Sequence, residues 1–427
     1  MMRFVSVTGA GPPADFPTVL FRGLAPDGGL YVPERIPERL AGAPGFDSLP
    51  GAGTAVLSPF LDAIPETVLR EILTRAWTWP VPLTRLDHDV YLIEEFHGPT
   101  FAFKDLGARF MAAVMSHLLV RDGRRITILV ATSGDTGSAV AHGFHGTENV
   151  DVFVLYPRGK VSPLQERQMA TLGGNIHAVA VRGTFDDCQA LVKRALGDDA
   201  VRARRAITTA NSINLGRLLP QIAFYAWARS GWDETGHREI PMDVVVPSGN
   251  FGNLTAALYA KRMGFGVGTL TAATNANCAV PDYLRTGRFA PAPSRPTYSS
   301  AMDVGDPGNW VRIEALYDDL DAVRGDVRGV SVTDEETLST IRETYETTGV
   351  VLDPHTAVGV HAARSRSGKP VAVAATAHPG KFPEVIRKAI GRDPEIPEAL
   401  GAALERPLLS IDLDADYDAW KRLLLTG

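Results

Sequence analysis

Arg125-Ile126-Thr127-Ile128-Leu129-Val130-Ala131 runs straight into Thr132-Ser133-Gly134-Asp135-Thr136-Gly137, and that junction decides the fold class. The first half is apolar at odd and even positions alike, so it reads as a strand covered on both faces. The second half consists of turn and helix-cap residues, and a helical pattern follows at 135–145. The same order recurs downstream. A strand at 150–156 precedes Ser162-Pro163, an N-cap with proline in the first turn. A strand at 176–181 leads into Thr184-Phe185-Asp186-Asp187, a capping-box-like start with Asp in place of Glu or Gln. Residues 244–246 lead through a Gly/Asn loop to a helix at 254–263, and 371–375 lead through Thr376-Ala377-His378-Pro379-Gly380 to a helix at 382–390. Repeated units of this kind, with wholly apolar strands, predict an α/β fold containing two mostly parallel sheets. Ligands of such sheets sit beyond the carboxyl ends of the strands, where these polar loops lie.

The opening segment differs. Gly11-Pro12-Pro13, Pro26-Asp27-Gly28-Gly29 and Leu49-Pro50-Gly51 punctuate it, with helical patterns only in between, as in an appended N-terminal region. At 427 residues, 45% hydrophobic and 22% charged, the chain can bury one or more sizeable cores without disulfides or metals. A net charge of -6 supplies no global field for nucleic acid or an acidic membrane, although a local basic pocket for a phosphorylated small molecule stays open. No apolar run approaches the roughly 18 residues of a membrane span, and the start lacks a signal-length apolar stretch. Cys188 and Cys278 are too few and too far apart for a disulfide framework or a CxxC metal site. These features point to a cytoplasmic protein without a nucleic-acid partner, a membrane partner or a metal.

Four stretches could carry chemistry. In Phe101-Ala102-Phe103-Lys104-Asp105 the aromatic neighbours can desolvate Lys104, which disfavours its charged form and frees the amine for Schiff-base chemistry. The same stretch also suits a lysine whose stem packs on the rings while its head reaches water. Thr132 to Gly137 offers backbone N–H groups and hydroxyls to a carboxylate or phosphate, or is simply a turn with an N-cap. Pro247-Ser248-Gly249-Asn250-Phe251-Gly252-Asn253 has two glycines that let the backbone approach a bound group, and the helix after it aims its N-terminus at a phosphate. It lacks the Gly-Lys-Ser/Thr of a Walker A loop and the GxGxxG of a dinucleotide site, which argues against ATP and NAD. Asn211-Ser212-Ile213-Asn214 with Arg217 groups hydrogen-bonding side chains and a guanidinium, suited either to a phosphate or to capping a helix.

A Schiff-base lysine, a glycine loop for a phosphate and hydroxyl-rich strand ends together suggest pyridoxal phosphate. The set resembles the threonine synthases, fold-type II pyridoxal-phosphate enzymes, through nearly the whole chain. The matching stretches include Phe21-Arg22-Gly23-Leu24 with Gly28-Gly29-Leu30, Phe96-His97-Gly98-Pro99-Thr100 with Phe103-Lys104-Asp105, and residues 131–137, 211–214 and 247–253. They continue with Ala273-Thr274-Asn275-Ala276-Asn277, Ser300-Ala301-Met302-Asp303-Val304, Asp353-Pro354-His355 and Thr376-Ala377-His378-Pro379. The shorter bacterial and fungal branch is the closer likeness.

The resemblance implies two α/β catalytic domains plus the N-terminal region: residues 1–85 appended, 86–205 a smaller unit carrying Lys104 and the Ser133 loop, and 206–427 a larger cofactor-binding unit. It implies that Lys104 is the Schiff-base lysine and proton carrier. Gly249, Asn250, Phe251, Gly252 and Asn253 would form the cofactor phosphate cup, and Thr376 would bond the pyridine nitrogen. Thr132, Ser133, Asn211, Ser212 and Arg217 would face the substrate. Asp135 stands where related enzymes have Asn, which leaves its contact with the cofactor hydroxyl open, the carboxyl being protonated or holding a water. The implied reaction turns O-phospho-L-homoserine and water into L-threonine and phosphate, a carbon–oxygen lyase reaction carried out by a monomer. A phospholyase releasing a 2-keto acid, or a non-catalytic phosphometabolite sensor, are the alternatives. Loops 273–277 and 300–308 are the expected walls of the closed site.

Overall fold

In the computed structural model the apolar runs become strands because their side chains meet apolar partners on both sides. The structure describes residues 2–38, 45–366 and 368–426; part of the expected N-terminal region, residues 39–44, lies outside them. The strands are β1 (Phe4–Ser6), β2 (Tyr31–Pro33), β3 (Leu83–Arg85), β4 (Val90–Glu94), β5 (Ile126–Ala131), β6 (Val150–Pro157), β7 (Ile176–Arg182), β8 (Ile207–Thr209), β9 (Met242–Pro247), β10 (Val267–Thr274), β11 (Val327–Ser331), β12 (Val371–Ala375) and β13 (Ile411–Asp414). A five-stranded sheet has the order β13-β7-β6-β5-β8, all parallel, and a six-stranded sheet has the order β11-β10-β9-β12-β4-β3, in which β3 alone runs antiparallel. The α/β class with two largely parallel sheets is therefore as the sequence pattern predicts.

Period-two alternation sends each strand into two cores. In β5, Ile128 and Val130 join the large central core while Leu129 and Ala131 face a second one with Phe153 and Trp420. In β9, Val244 and Val246 point to the central core, and Val245 joins Val373 and Ile386 on the far face. The N-terminal region contributes Phe4, Phe16 and Trp77 to the same central core, so it is built into the molecule's interior. The helices after Ser162 and Thr184 start as the sequence predicts, whereas those expected at 254–263 and 382–390 run Gly252–Arg262 and Pro383–Ile390. Ser162 and Thr184 make reciprocal capping boxes with Gln165 and Asp187.

The sheets do not follow the sequence division at 86–205 and 206–427. β4 pairs with β12 in the six-stranded sheet, whereas β8 and β13 both lie in the five-stranded one. The C-terminal helix Tyr417–Thr426 returns with β13 and buries Trp420 and Leu424 on that sheet. A strand that is apolar on both faces can pair with any similar neighbour, so sequence order alone does not choose its sheet. Residues 273 and 274, expected in a loop, are the last two of β10.

Candidate active site

The loops after β4, β5, β8, β9 and β12 converge on one cavity of about 230 Å³; every residue given a cofactor or substrate role lines it, whereas Asn214 and the expected wall loop 273–277 are not among its lining residues. Lys104, the first residue of the helix Lys104–Asp122, enters from the loop after β4. That loop is stitched to the one after β12: Phe103 N–H donates to Thr376 O at 2.9 Å and His378 N–H to Phe101 O at 3.1 Å. Phe101 has φ of 58°, a left-handed conformation costly for an aromatic residue, and Phe251 in the glycine loop has φ of 60°. Phe251 lines the cavity, and Phe101 lies two residues before Phe103, which also lines it. The Lys104 side chain is 16% exposed, and its ammonium sits 5.3 Å from the Phe103 ring centre. Burial pushes its pKa down; Asp135 opposes this, and Lys381 and Arg217 reinforce it.

Asp135 begins the helix Asp135–Phe144, with its carboxylate 3.7 Å from Lys104 Nζ and 2.6 Å from Lys381 Nζ. Gln165 Nε2 donates to it at 2.9 Å. Burial works against its charge, yet the Lys381 and Lys104 ammoniums outweigh burial and hold the carboxyl well below the usual carboxylate range. It is therefore an ionised acceptor and not a protonated acid. Lys381, which sequence reading missed, is wholly buried and also donates to Thr100 O at 2.8 Å.

The glycine loop after β9 delivers the helix Gly252–Arg262. A Cβ on Gly249 would stand 2.7 Å from the Met302 Cα, so only glycine lets these segments touch. The first helical bond is donated by Thr255 N–H to Phe251 O, which leaves the preceding amides turned to the loop end. Asn250 is committed elsewhere: its Nδ2 donates to Ser212 Oγ at 2.6 Å and its Oδ1 accepts from Gly308 N–H at 2.6 Å. Asn253 is buried beneath the loop, donating to Glu95 Oε2 at 2.8 Å and accepting from the Tyr225 hydroxyl. Burial raises the Glu95 pKa well above its ordinary value of 4.5, with only the Asn253 bond opposing. These two asparagines hold the loop's shape, and its backbone is what faces the cavity.

Beside the glycine loop Ser212 Oγ accepts from Asn250 and, at 3.2 Å, from Asn309 Nδ2, which leaves its own proton to give. Asn211 is a clamp between strands, donating to Ala131 O at 2.7 Å and accepting from Ala131 N–H at 3.2 Å. Arg217 is buried, donates to Ala210 O and reaches Lys104 O at 3.5 Å, and its Nε has no partner. Burial lowers its pKa to about 10. His355, part of a matching stretch but given no role from sequence, lines the cavity; its Nδ1 hydrogen-bonds Asp353 at 2.8 Å and its Nε2 accepts from Ala301 N–H at 3.1 Å, which puts the ring proton on Nδ1. Among the described residues no group of His, Cys, Asp or Glu suits a metal ion. No described helix is long and apolar enough to cross a membrane.

The donor set suits pyridoxal phosphate: an amine of lowered pKa for the aldehyde, a glycine loop with a helix N-terminus for the phosphate, and a neutral hydroxyl at Thr376. Residues 73–376 match the family model described as pyridoxal-phosphate dependent enzyme, residues 3–77 match the threonine synthase N terminus, and residues 356–424 match threonine synthase, C-terminal. The threonine synthase of Escherichia coli is 40% identical over 431 residues, 99% of each chain, and that of Haemophilus influenzae is 40% identical over 415 residues, 96% of each. The chain belongs to the threonine synthase family. The crystal structure of the E. coli threonine synthase superposes with a TM-score of 0.91 over 100% of this chain and 99% of that one. A pyridoxal-phosphate-bound threonine synthase from Brucella melitensis, 34% identical, gives 0.93 over the same shares. A tomato threonine deaminase at 16% identity and a TM-score of 0.55 shares the fold alone. Pyridoxal phosphate is the cofactor of this threonine synthase family member, and its fold is type II.

Proposed function

We propose that the chain converts O-phospho-L-homoserine and water into L-threonine and phosphate, with Lys104 as the mobile acid and base. One observation carries the reading. Among the described residues Lys104 is the lysine that lines the cavity, and two sets of anion-binding groups line it too, the amides of 249–253 and the group of Ser133, Ser212 and Arg217. A substrate and cofactor that each bear a phosphate need both.

The backbone of Gly249, Asn250, Phe251, Gly252 and Asn253 would hold the cofactor phosphate at the helix N-terminus, Thr376 would meet the ring nitrogen as a neutral partner, and Asp135 would face the ring hydroxyl. Bound there, pyridoxal phosphate supplies an electron sink for negative charge on the substrate carbons. Arg217 Nε and the Ser212 hydroxyl would bind the substrate phosphate, with Thr132 and Ser133 at the amino-acid end. Lys104 Nζ, whose charged form burial disfavours, takes the α proton and returns a proton once phosphate has left. Cβ gives up one proton as the Cγ–O bond breaks and phosphate leaves, Cγ gains a proton to become the methyl group, and the oxygen of water bonds Cβ while the proton it releases is balanced by the one returned to the α carbon. Water must therefore enter at one face only. The segment 299–309, tied to the glycine loop through Asn250 and Asn309, would supply that wall. The same proposal takes the protein as a cytoplasmic monomer with no nucleic-acid or membrane partner; the two free thiols support the compartment and the net charge of -6 the absence of an anionic partner.

Incubation of the holoenzyme with O-phospho-L-homoserine tests it. Threonine and inorganic phosphate should appear in equal amounts, and phosphate release without threonine overturns the proposal.

A further inference from the structure

Lys381 has no part in the scheme above, yet its position is demanding. It ends the short turn Pro379–Lys381, has no exposed surface, and sits where a charge persists only against fixed partners. Its ammonium donates to Thr100 O at 2.8 Å and pairs with Asp135 Oδ1 at 2.6 Å. The other Asp135 oxygen is 3.7 Å from Lys104 Nζ. One carboxylate thus stands between two ammonium groups, and its short contact goes to the lysine that does no chemistry. Attraction in a poorly screened interior falls with separation, so the nearer cation takes the larger share of the carboxylate's field.

The surrounding charges point the same way. Arg217 and Lys381 both disfavour an ammonium at Lys104, whereas Asp135 alone favours it. His355 faces Asp135 from the helix Pro354–Arg364. Asp105, which accepts bonds from Thr100 N–H and Oγ1 at 2.7 Å each, faces Lys381 and Arg217. His142 and His378 also feel Lys381. Without Lys381, the Asp135 carboxylate would have Lys104 as its nearest cation and would hold it charged.

We propose that Lys381 is a positioning residue for the reaction: by occupying Asp135 it leaves Lys104 as the weaker partner of that carboxylate, and so as the amine that gives up its proton. The pair is neutral overall while still presenting an acceptor oxygen on the Lys104 side. The inference rests on Lys104 being the lysine linked to the cofactor.

The test is the pH at which half of the visible absorption of the cofactor–Lys104 linkage is lost, measured on purified holoenzyme. Lys381→Met should raise that midpoint by about one pH unit or more, since an uncompensated carboxylate beside a cation shifts its pKa by about that much. Lys381→Arg should bring it back towards wild type, and Asp135→Asn should move it the opposite way, downwards. A packing role alone would lower the melting temperature without shifts of opposite sign. Should Lys381→Met fail to fold, the Asp135→Asn shift decides: an unchanged or raised midpoint overturns the proposal. A wild-type holoenzyme without a visible band would instead refute the Lys104 reading itself.

Discussion

In the proposed reaction the chemistry turns on Lys104 and Arg217. Lys104→Ala should abolish both the visible band and turnover while the fold survives, because the change removes the covalent link and leaves the glycine loop intact. Unchanged absorbance in that variant contradicts the assignment. Arg217→Ala should weaken phosphohomoserine by on the order of 2 kcal/mol more than an unphosphorylated analogue, as expected for loss of a buried charge-assisted bond. Ligand titration of both compounds checks this, and equal losses would make Arg217 a structural anchor for Ala210 O and Lys104 O. Lys104 was legible because two aromatics and an alanine surround it in sequence. Lys381 was not: a lysine after His378-Pro379-Gly380 reads as a surface cation, and only the fold brings Thr100 and Asp135 to it. Asn211 and Asn250 both line the cavity, but their side chains are spent on Ala131, Ser212 and Gly308, a geometry that residue type does not reveal.

At the scale of elements, the end of β4 and the start of the helix Gly252–Arg262 meet through Glu95 and Asn253. Glu95 lies wholly inside with a raised pKa, so the folded state keeps a proton that the unfolded chain releases. Its contribution is full below the unfolded value of 4.5 and is lost as pH rises through the folded pKa. Glu95→Gln keeps an acceptor for Asn253 without the ionisation, so its urea midpoint should fall less between pH 5 and pH 8 than that of wild type. Parallel slopes for the two proteins would show that Glu95 is charged in the fold. Elements with apolar residues on both faces, such as β5, β6, β7, β9 and β12, could be read directly from sequence. β3, with no fully buried residue, and the three-residue β8 carry too little apolar pattern to stand out from loop. The capping boxes at Ser162 and Thr184 could be read because their bonds join residues three apart.

For the whole molecule, the class of fold was legible and the assembly of the sheets was not. β4 crosses to the six-stranded sheet, and the chain's end returns to the five-stranded one to bury Trp420 against Phe153, ring centres 5.6 Å apart. Such partnerships depend on residues hundreds of positions apart, which local periodicity cannot encode. What the assembly achieves is a cavity between two sheets whose walls come from several strand ends, and in the proposed reaction those walls control where water adds. Oxygen tracing reads that control directly. Phosphohomoserine turned over in heavy-oxygen water should give threonine carrying the label at its hydroxyl, with little 2-ketobutyrate. Predominant 2-ketobutyrate, or threonine free of solvent oxygen, would contradict the account.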